Sequence, residues 1–598
     1  MSCRVRAVAR ATHNFSFAEA RHSPARHLTK QQSRVHLTPR ASHFHVQNRI
    51  RHWKSYSAST VHKQSGSGYL TAVVVLGIAV GGALLYPRAA DNSAKEIEGY
   101  KLTSTFEYTD RTDSFLVMAP GTPPGRPGTL TPEQEGKLRE LWAATMKVFG
   151  VPDATVEEVN GTEVVLPATP SDAVEKDGKK EKKSRLRVFR RNKGDKEDKS
   201  ETASSTSTPA TSTPDISKMS LSAEDDKHGQ NKDFRDAIAN TAPEDLRKAF
   251  WSMVKLDHPD ALLLRFLRAR KWDVEKALVM MISTMHWRLE QMHVDDDIMK
   301  NGEEVALKES KSDDPKVKKE GEDFLAQLRM GKSYLHGLDA EGRPMCIVRA
   351  RLHRAGEQSE ASLERYTVYT IETARLLLRP PIDTATIVFD MTDFSMANMD
   401  YAPVKFMIKC FEANYPESLG TVLVYKAPWI FNAIWNIIRG WLDPVVAGKV
   451  HFAKNVDELE KFVPKTQIPA ELGGADPYTY TYVEPQQNEN ARMAMAEQSP
   501  KETLQSERQE LVSKYESTIL EWIAEGEAGK SLEDRRKERD TLAEGLRQNY
   551  WKLDPYVRAR SLYDRIGLVG EGGKLTFYPG KEKENVKPVV ETSADDLD

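Results

Sequence analysis

One short run of the sequence has residue types that could hold a phosphate, Gly331-Lys332-Ser333. A glycine, a lysine and a hydroxyl residue in this order end the phosphate-binding loop of nucleotide-binding proteins, where main-chain N–H groups and the lysine neutralise the phosphates. That loop also needs an earlier glycine and a strand leading into it. Ala326 stands at the position of the glycine and no strand is predicted before it. We therefore do not expect a nucleotide site here.

Two carboxylates, Asp390 and Asp393, follow each other at the end of a predicted strand. Proteins with α/β folds often bind ligands beyond the carboxyl ends of their strands. A carboxylate in the same place also caps the next helix well. The sequence leaves both interpretations open.

The chain lacks the motifs of common hydrolases. It has no Gly-x-Ser-x-Gly turn, which argues against a lipase, and no His-Glu-x-x-His pair for catalytic zinc. Cys3, Cys346 and Cys410 have no paired spacing, so they predict buried free thiols rather than disulfides or a metal site. We expect no enzyme activity, no cofactor and no metal. With a formal net charge of −2 over 598 residues, we also expect no nucleic-acid partner.

The segment 427–450 is unusually apolar for a chain in which 29% of residues are charged. Helical spacing places most of its large side chains on one broad face, and only a narrow polar band remains. A fully buried helix explains this pattern as well as a helix that covers a ligand. The large side chains of the segment are Trp429, Phe431, Ile434, Trp435, Ile438, Trp441 and Leu442.

The secondary-structure elements around these residues must position them. In residues 330–483, β-rich runs alternate with helical stretches. Such alternation predicts an α/β fold with a mainly parallel sheet. The turn DAEGRP at 339–344 predicts a hairpin leading into the first strand of the series. The predicted strands are 345–350, 385–391, 421–425 and 449–452, and the predicted helices are 362–378, 400–413 and 429–441.

Residues 240–295 predict a separate helical lobe, with helices at 244–255, 260–271 and 273–291. The segment 130–150 predicts one more helix of this lobe. Thr131 stands as its N-cap, Pro132 occupies the first helical position and Gln134 follows three residues after the cap.

Four motifs in order resemble the CRAL-TRIO domain of fungal phosphatidylinositol transfer proteins: LRFLRARKWDV at 264–274, DAEGRP, YPESLG at 415–420 and the apolar segment 427–450. The resemblance extends over residues 240–483. It implies a helical lobe and a sheet that, with its helices, encloses one lipid in an apolar pocket. It also implies that segment 427–450 contains the gate helix over that pocket, with hinges at Gly440 and Pro444.

The same resemblance implies a site for the lipid headgroup. In the phosphoinositide-binding members an arginine, a glutamate and a lysine hold the inositol phosphate, and the matching positions here are Arg265, Glu417 and Lys449. Arginine and lysine are suited to neutralising a phosphate. The motif after Asp443-Pro444 departs from the family, because a valine replaces the usual threonine. An acidic phospholipid is therefore expected, with phosphatidylinositol as one candidate.

The N-terminal region has the features of an organelle-targeting signal. Residues 1–67 are rich in arginine and contain a single acidic residue, Glu19, which is typical of a mitochondrial transit peptide. Residues 69–86 contain no charge and are long enough for one transmembrane helix. Residues 89–129 then predict a stalk. We expect a single-pass protein of the mitochondrial inner membrane whose lipid-binding domain faces the intermembrane space.

Two charged regions complete the chain. Residues 154–233 predict a disordered insertion, because their apolar content is too low to offset the entropy of ordering. Its basic run 179–193 either contacts anionic lipid or is simply solvated. Residues 500–580 predict a charged helical extension that packs on its own domain or binds a partner.

These patterns predict a membrane-tethered protein that binds and transfers a phospholipid. The alternative is a lipid-sensing scaffold that binds lipid and a protein partner without transfer. A lipid hydrolase is disfavoured because the nucleophile motif is missing.

Overall fold

The computed structural model describes residues 121–152, 216–494, 500–525 and 531–578. The predictions for residues 1–67, 69–86 and 179–193 lie outside these ranges. No helix inside them is long and apolar enough to cross a bilayer.

The N-terminal lobe is helical and begins with the predicted cap. Thr131 and Gln134 form the reciprocal capping box at the start of the first helix, and Pro132 occupies its first position. The helices of the lobe share one apolar core, which contains Trp142, Phe250 and Leu263. They are α1 (Pro132–Val148), α2 (Gln230–Asn240), α3 (Pro243–Val254), α4 (Pro259–Ala269) and α5 (Val274–His286).

The second part of the fold is a five-stranded sheet in sequence order. The predicted hairpin forms the antiparallel pair β1–β2, and the remaining neighbours are parallel, as expected of βαβ units. The strands are β1 (Ser333–Leu338), β2 (Pro344–Arg349), β3 (Ala385–Asp390), β4 (Leu419–Tyr425) and β5 (Val450–Ala453).

Helices cover this sheet and connect its strands. Two of them, α6 and α7, lie in a charged stretch for which no element was predicted from the sequence. The helices that follow the lobe are α6 (Met299–Glu309), α7 (Pro315–Arg329), α8 (Glu360–Arg375), α9 (Tyr401–Lys409), α10 (Phe431–Arg439), α11 (Pro444–Gly448), α12 (Val456–Leu459) and α13 (Ala491–Ala494).

The two faces of the sheet have different partners because side chains alternate along each strand. On β4, Leu423 and Tyr425 pack into a core with the segment after β5. Val422 and Val424 point to the other face, where they line a cavity. The same alternation on β2 and β3 makes that face continuously apolar.

Two predicted boundaries were wrong. Residues 216–233 were assigned to the disordered insertion, yet Met219 and Leu221 are buried in the lobe and α2 begins at Gln230. A few apolar side chains docked on an existing core suffice to order this stretch. Residues 121–129 were assigned to the stalk, but Arg126 forms a salt bridge of 3.0 Å with Asp383.

The C-terminal extension is a pair of helices, α14 (Pro500–Glu525) and α15 (Leu532–Val557), followed by α16 (Leu562–Arg565). Tyr515, Ile519 and Leu546 belong to the same core as the N-terminal helices. The extension therefore packs on its own domain, which was one of the two alternatives predicted for it.

Candidate functional site

An apolar cavity of about 270 Å³ lies between the sheet, α8, α9 and α10. The sheet contributes Val348, Ile387 and Phe389 from β2 and β3, and Val422 and Val424 from β4. Hydrocarbon side chains of the sheet and the helices thus surround a space that the fold leaves unfilled. Such a concave and mostly apolar space is the usual form of a ligand site.

Helix α10, called the gate helix below, closes one side of the cavity. Phe431, Trp435 and Ile438 line the cavity at spacings of three and four residues. Ile434 lies on the same side and is buried beside Phe431 and Ile438. The opposite side of the helix faces solvent, where Ile437 is 47% exposed. The gate helix is therefore a single amphipathic layer between cavity and solvent.

Two tryptophans of the segment are not where the sequence suggested. Trp429 precedes the gate helix and is 85% exposed, so it does not line the cavity. Trp441 follows the helix and packs edge-on against Tyr401 at 5.3 Å, with the Lys405 ammonium over its ring at 4.8 Å. Of the large side chains named after the helix, Leu442 continues the cavity wall and Trp441 does not. The helix is shorter than predicted, so its flanking residues leave the helical periodicity.

A polar contact holds the far end of the gate. Glu412 accepts a hydrogen bond from the Asp443 main-chain N–H at 2.7 Å and pairs with Lys227 and His228 at 2.8 Å each. Lys227 also donates to the Trp441 carbonyl. Burial favours the neutral form of Glu412, but these donors hold its pKa below the usual range. The segment between Gly440 and Pro444 is thus tied to the body of the domain through Trp441 and Asp443.

Arg265, Glu417 and Lys449, called the headgroup triad below, converge on one loop before β4. Arg265 donates to the Glu417 carbonyl at 2.7 Å and to the Asp383 carbonyl at 2.6 Å. Lys449 donates to the Leu419 carbonyl at 2.8 Å. Neither cation forms a salt bridge within the described part of the chain.

The Glu417 backbone has φ +54°, a left-handed conformation that is uncommon for residues other than glycine. The Arg265 bond to its carbonyl helps to hold this conformation. Backbone held in this way costs on the order of 1 to 3 kcal/mol and is frequent at functional sites.

The triad lies at the edge of the cavity and not in its wall. Leu419, whose carbonyl accepts the hydrogen bond from Lys449, lines the cavity. Val450, the residue after Lys449, lines it as well. Val446, at the position where the family motif has threonine, also lines the cavity. Arg265 borders a second cavity of about 250 Å³ formed with the cis Pro380-Pro381 segment and α15.

The other candidate residues have structural roles. Asp390 pairs with Arg351 and accepts the Thr392 N–H at 3.0 Å, so it closes a turn. Cys346 and Cys410 are buried free thiols, as predicted, and burial raises the pKa of Cys346 to about 12. Within the described ranges, no cluster of His, Cys, Asp or Glu could hold a metal ion.

Sequence reasoning missed the polar residues inside the cavity. Lys332 and Ser333 stand in the failed phosphate-loop motif, and both line the cavity with Tyr366 and His353. The sequence does not reveal this group, because His353 and Tyr366 lie far along the chain from Lys332 and Ser333. The one available signal was the isolated lysine directly before a strand.

Comparison with known proteins identifies relatives over about three quarters of the chain. The CRAL/TRIO domain profile matches residues 328–474 and the CRAL/TRIO N-terminal domain profile matches residues 230–283. CRAL-TRIO domain-containing protein C3H8.02 of Schizosaccharomyces pombe is 42% identical over 459 residues, covering 74% of this chain and 92% of that protein.

Two further relatives are named as transfer proteins. Phosphatidylinositol transfer protein CSR1 of Eremothecium gossypii is 40% identical over 455 residues, covering 75% of this chain and 98% of that protein. Phosphatidylinositol/phosphatidylcholine transfer protein SFH12 of Arabidopsis thaliana is 26% identical over 231 residues, covering 36% of this chain and 39% of that protein.

Proposed function

The chain belongs to the CRAL-TRIO family, and on this basis we propose that it holds one acidic phospholipid in its cavity and transfers it between membranes. Members of the family are lipid transfer proteins and not enzymes. The relative CSR1 is named a phosphatidylinositol transfer protein, which makes phosphatidylinositol the first lipid to test.

The cavity under the gate helix is the observation that carries this proposal. Its walls are hydrocarbon on the sheet side and on the gate side, which suits acyl chains. Burying apolar surface contributes about 25 cal/mol per Å², so a chain that enters gains several kcal/mol. Lipid binding in this space needs no covalent chemistry.

The headgroup triad is suited to the phosphate of the same lipid. Arg265 and Lys449 now donate to main-chain carbonyls, and neither forms a salt bridge within the described residues, although Asp383 lies near enough to Arg265 that, against the effect of burial, the arginine lowers the pKa of the Asp383 carboxylate. A phosphate at the edge of the cavity would replace these neutral acceptors by charged ones, which form stronger hydrogen bonds. Glu417 is then available to accept from inositol hydroxyls.

The outer surface of the gate supports delivery at a membrane. Trp429 and Val445 are 85% and 57% exposed, and Ile437 faces solvent between them in sequence. Transfer of large apolar side chains into a bilayer is worth roughly 1.5 to 3 kcal/mol each when they become fully buried. Docking of this surface would draw the gate helix away from the cavity, with Gly440 and Pro444 as hinges.

The proposal includes a mitochondrial tether. A transit-like segment at 1–67 and an uncharged stretch at 69–86 support a single-pass protein of the inner membrane whose domain faces the intermembrane space. Protease added to isolated mitochondria should leave the domain intact and should degrade it once the outer membrane is ruptured. Degradation in intact mitochondria would contradict this placement.

Lipid transfer is tested with the full-length protein reconstituted into donor vesicles. Radiolabelled phosphatidylinositol should move to acceptor vesicles faster with the protein than without it. Binding without delivery would favour a lipid-sensing scaffold. Failure of any lipid to bind would contradict both functions.

A further inference from the structure

The cavity has a second polar region, at the edge of the sheet opposite the headgroup triad. Lys332 precedes β1, and its carbonyl accepts the N–H of Arg349, the last residue of β2. The Lys332 side chain lines the cavity although the residue is only 6% exposed. A buried ammonium beside hydrocarbon walls is costly unless something neutralises it.

Lys332 forms no salt bridge with a carboxylate among the described residues, and the carboxylates of Glu357, Asp323 and Asp400 act on it only at longer range. Its Nζ donates to Gln358 Oε1 at 2.7 Å and lies 3.3 Å from His353 Nδ1. Asp400 is close, but its Oδ2 lies 3.3 Å from His353 Nε2. An ammonium has three N–H donors. Two therefore have partners, and one remains for a group inside the cavity.

Gln327 supplies an independent sign of a missing polar partner. This residue is fully buried and lines the cavity, yet its Oε1 accepts no hydrogen bond. The Lys332 N–H bonds to the Gln327 carbonyl at 3.0 Å, so the two residues are held side by side. A buried acceptor left without a donor costs about 1 to 3 kcal/mol.

The neighbouring hydroxyls are already occupied. Ser333 Oγ donates to Tyr366 Oη at 2.8 Å, and Tyr366 Oη donates to the Ser333 carbonyl at 2.9 Å. Thr367 and Thr370 donate to carbonyls of their own helix.

The other polar residues that line this region also have partners: Arg349 pairs with Glu471, His353 with Asp400, and Asn398 donates to two main-chain carbonyls. Lys332 keeps an unused N–H donor, and Gln327 keeps an acceptor without a donor.

We propose that Lys332 and Gln327 form a second headgroup site, which takes the anionic oxygen of a single-chain amphiphile, a carboxylate or a phosphate monoester. This inference rests on the proposed function, because it requires a cavity that admits lipid. The Lys332 ammonium binds the anionic oxygen, and the P–O–H of a singly ionised phosphate monoester donates to Gln327 Oε1, whereas a carboxylate, which has no O–H, uses Lys332 alone.

The two polar regions lie farther apart than one acyl chain reaches. Along β4 they are separated by the six residue steps from Leu419 to Tyr425, which is about 20 Å. One leaflet of a bilayer has roughly 15 Å of hydrocarbon. An amphiphile anchored at Lys332 would thus extend its chain toward the headgroup triad without reaching it, opposite in direction to a phospholipid anchored at the triad.

The charge of Lys332 is compatible with this role at neutral pH. Burial lowers its pKa to about 8, while the carboxylates of Glu357, Asp323 and Asp400 oppose the shift. The side chain is therefore mainly protonated at pH 7. An anion bound beside it would stabilise the protonated form further.

Competition binding with the full-length protein tests the second site. A fluorescent fatty acid serves as the reporter, and oleate, 1-oleoyl lysophosphatidate and methyl oleate serve as competitors. Oleate or lysophosphatidate should compete at least tenfold better than methyl oleate. Lys332→Met should remove this preference, whereas Lys461→Met, at an exposed lysine, should keep it.

Equal competition by methyl oleate overturns the proposal, and this comparison needs only the wild-type protein. Unchanged oleate binding by a folded Lys332→Met protein overturns it as well. Delivery of phosphatidylinositol without binding of any single-chain anion refutes the second site alone. If neither lipid class binds, the proposed function fails too.

Discussion

Arg265 and Lys449 come from different parts of the fold and donate to carbonyls two residues apart, those of Glu417 at 2.7 Å and Leu419 at 2.8 Å. Arg265 belongs to α4 of the helical lobe, and Lys449 directly precedes β5. One loop thus brings two cations to the edge of the apolar cavity. Their present acceptors are neutral, so they can be exchanged for a phosphate.

The double substitution Arg265→Ala with Lys449→Ala should reduce phosphatidylinositol delivery at least tenfold, because the phosphate loses both cations. Lost hydrogen bonds to the loop should lower the free energy of unfolding by about 1 to 3 kcal/mol. Vesicle transfer and denaturant unfolding measure the two effects. The control is Lys461→Ala, at an exposed lysine away from the site. Normal delivery by a folded double variant would remove the headgroup assignment.

Trp429→Ala should weaken membrane association of the domain by roughly tenfold. The variant lacks an exposed indole that the wild-type protein can insert into the bilayer. Its stability should change by less than about 0.5 kcal/mol, since the residue is exposed. Vesicle co-sedimentation measures association. Val317→Ala removes an exposed apolar side chain from α7 and should have no effect. Equal losses in both variants would argue against docking through the gate.

Glu412→Gln should loosen the hinge end of the gate, because the carboxylate that binds Lys227, His228 and the Asp443 N–H becomes neutral. We expect several-fold faster hydrogen exchange of the Asp443 amide and faster lipid delivery. Exchange measured by mass spectrometry provides the test. Glu360→Gln, at an exposed residue in the first turn of α8, serves as the control. If Asp443 exchanges at the wild-type rate, the contact does not restrain the gate.

Lys332 should make the stability of the lipid-free protein depend on pH. Its pKa is about 8 in the folded state against 10.5 as the ordinary value, so the unfolded chain binds more protons between these limits. Stability should therefore rise as the pH increases from 8 to 10.5, by at most about 3 kcal/mol.

Lys332→Met should flatten the rise in this window. Two neighbouring groups do not titrate between pH 8 and 10.5. Burial and Lys332 lower the pKa of His353, so it is neutral in this range, and burial raises the pKa of Tyr366 to about 12. Denaturant unfolding at several pH values checks the slope. The Lys461→Met protein should retain it. The same slope in wild type and Lys332→Met would assign the dependence to another group.

Asp260→Ala should destabilise the fold by about 3 to 5 kcal/mol. The buried carboxylate accepts from Trp142 Nε1 at 2.8 Å, Tyr515 Oη at 2.7 Å and Arg539 Nε at 2.8 Å, and so joins α1, α4, α14 and α15. Burial opposes its charge, but Arg539 and the other donors hold the pKa of Asp260 below its usual range. Thermal unfolding and protease cleavage of the C-terminal helices measure the loss. A variant that keeps wild-type resistance would show that these helices are held by their apolar contacts alone.

Local patterns sufficed for much of the fold. The capping residues before α1, the apolar runs that became β2 to β5 and the DAEGRP hairpin all depend on neighbours a few positions away in the chain. The spacing of Phe431, Ile434, Trp435 and Ile438 also placed these residues on one side of a helix. Helices α6 and α7 were not predicted from the sequence, because their few apolar residues are scattered among charged ones. Only packing against distant segments buries those apolar residues.

The amino-acid sequence by itself determined the α/β alternation, the family resemblance and the candidate positions Arg265, Glu417 and Lys449. Only the tertiary structure decided that Trp429 faces solvent, that Glu412 binds the gate, and that Lys332 is buried beside the cavity without a salt bridge among the described residues. These facts depend on which distant segments meet, because burial and charge compensation arise from the packing of whole elements. A lysine next to a strand has the same local sequence whether or not an acidic group lies across the cavity from it.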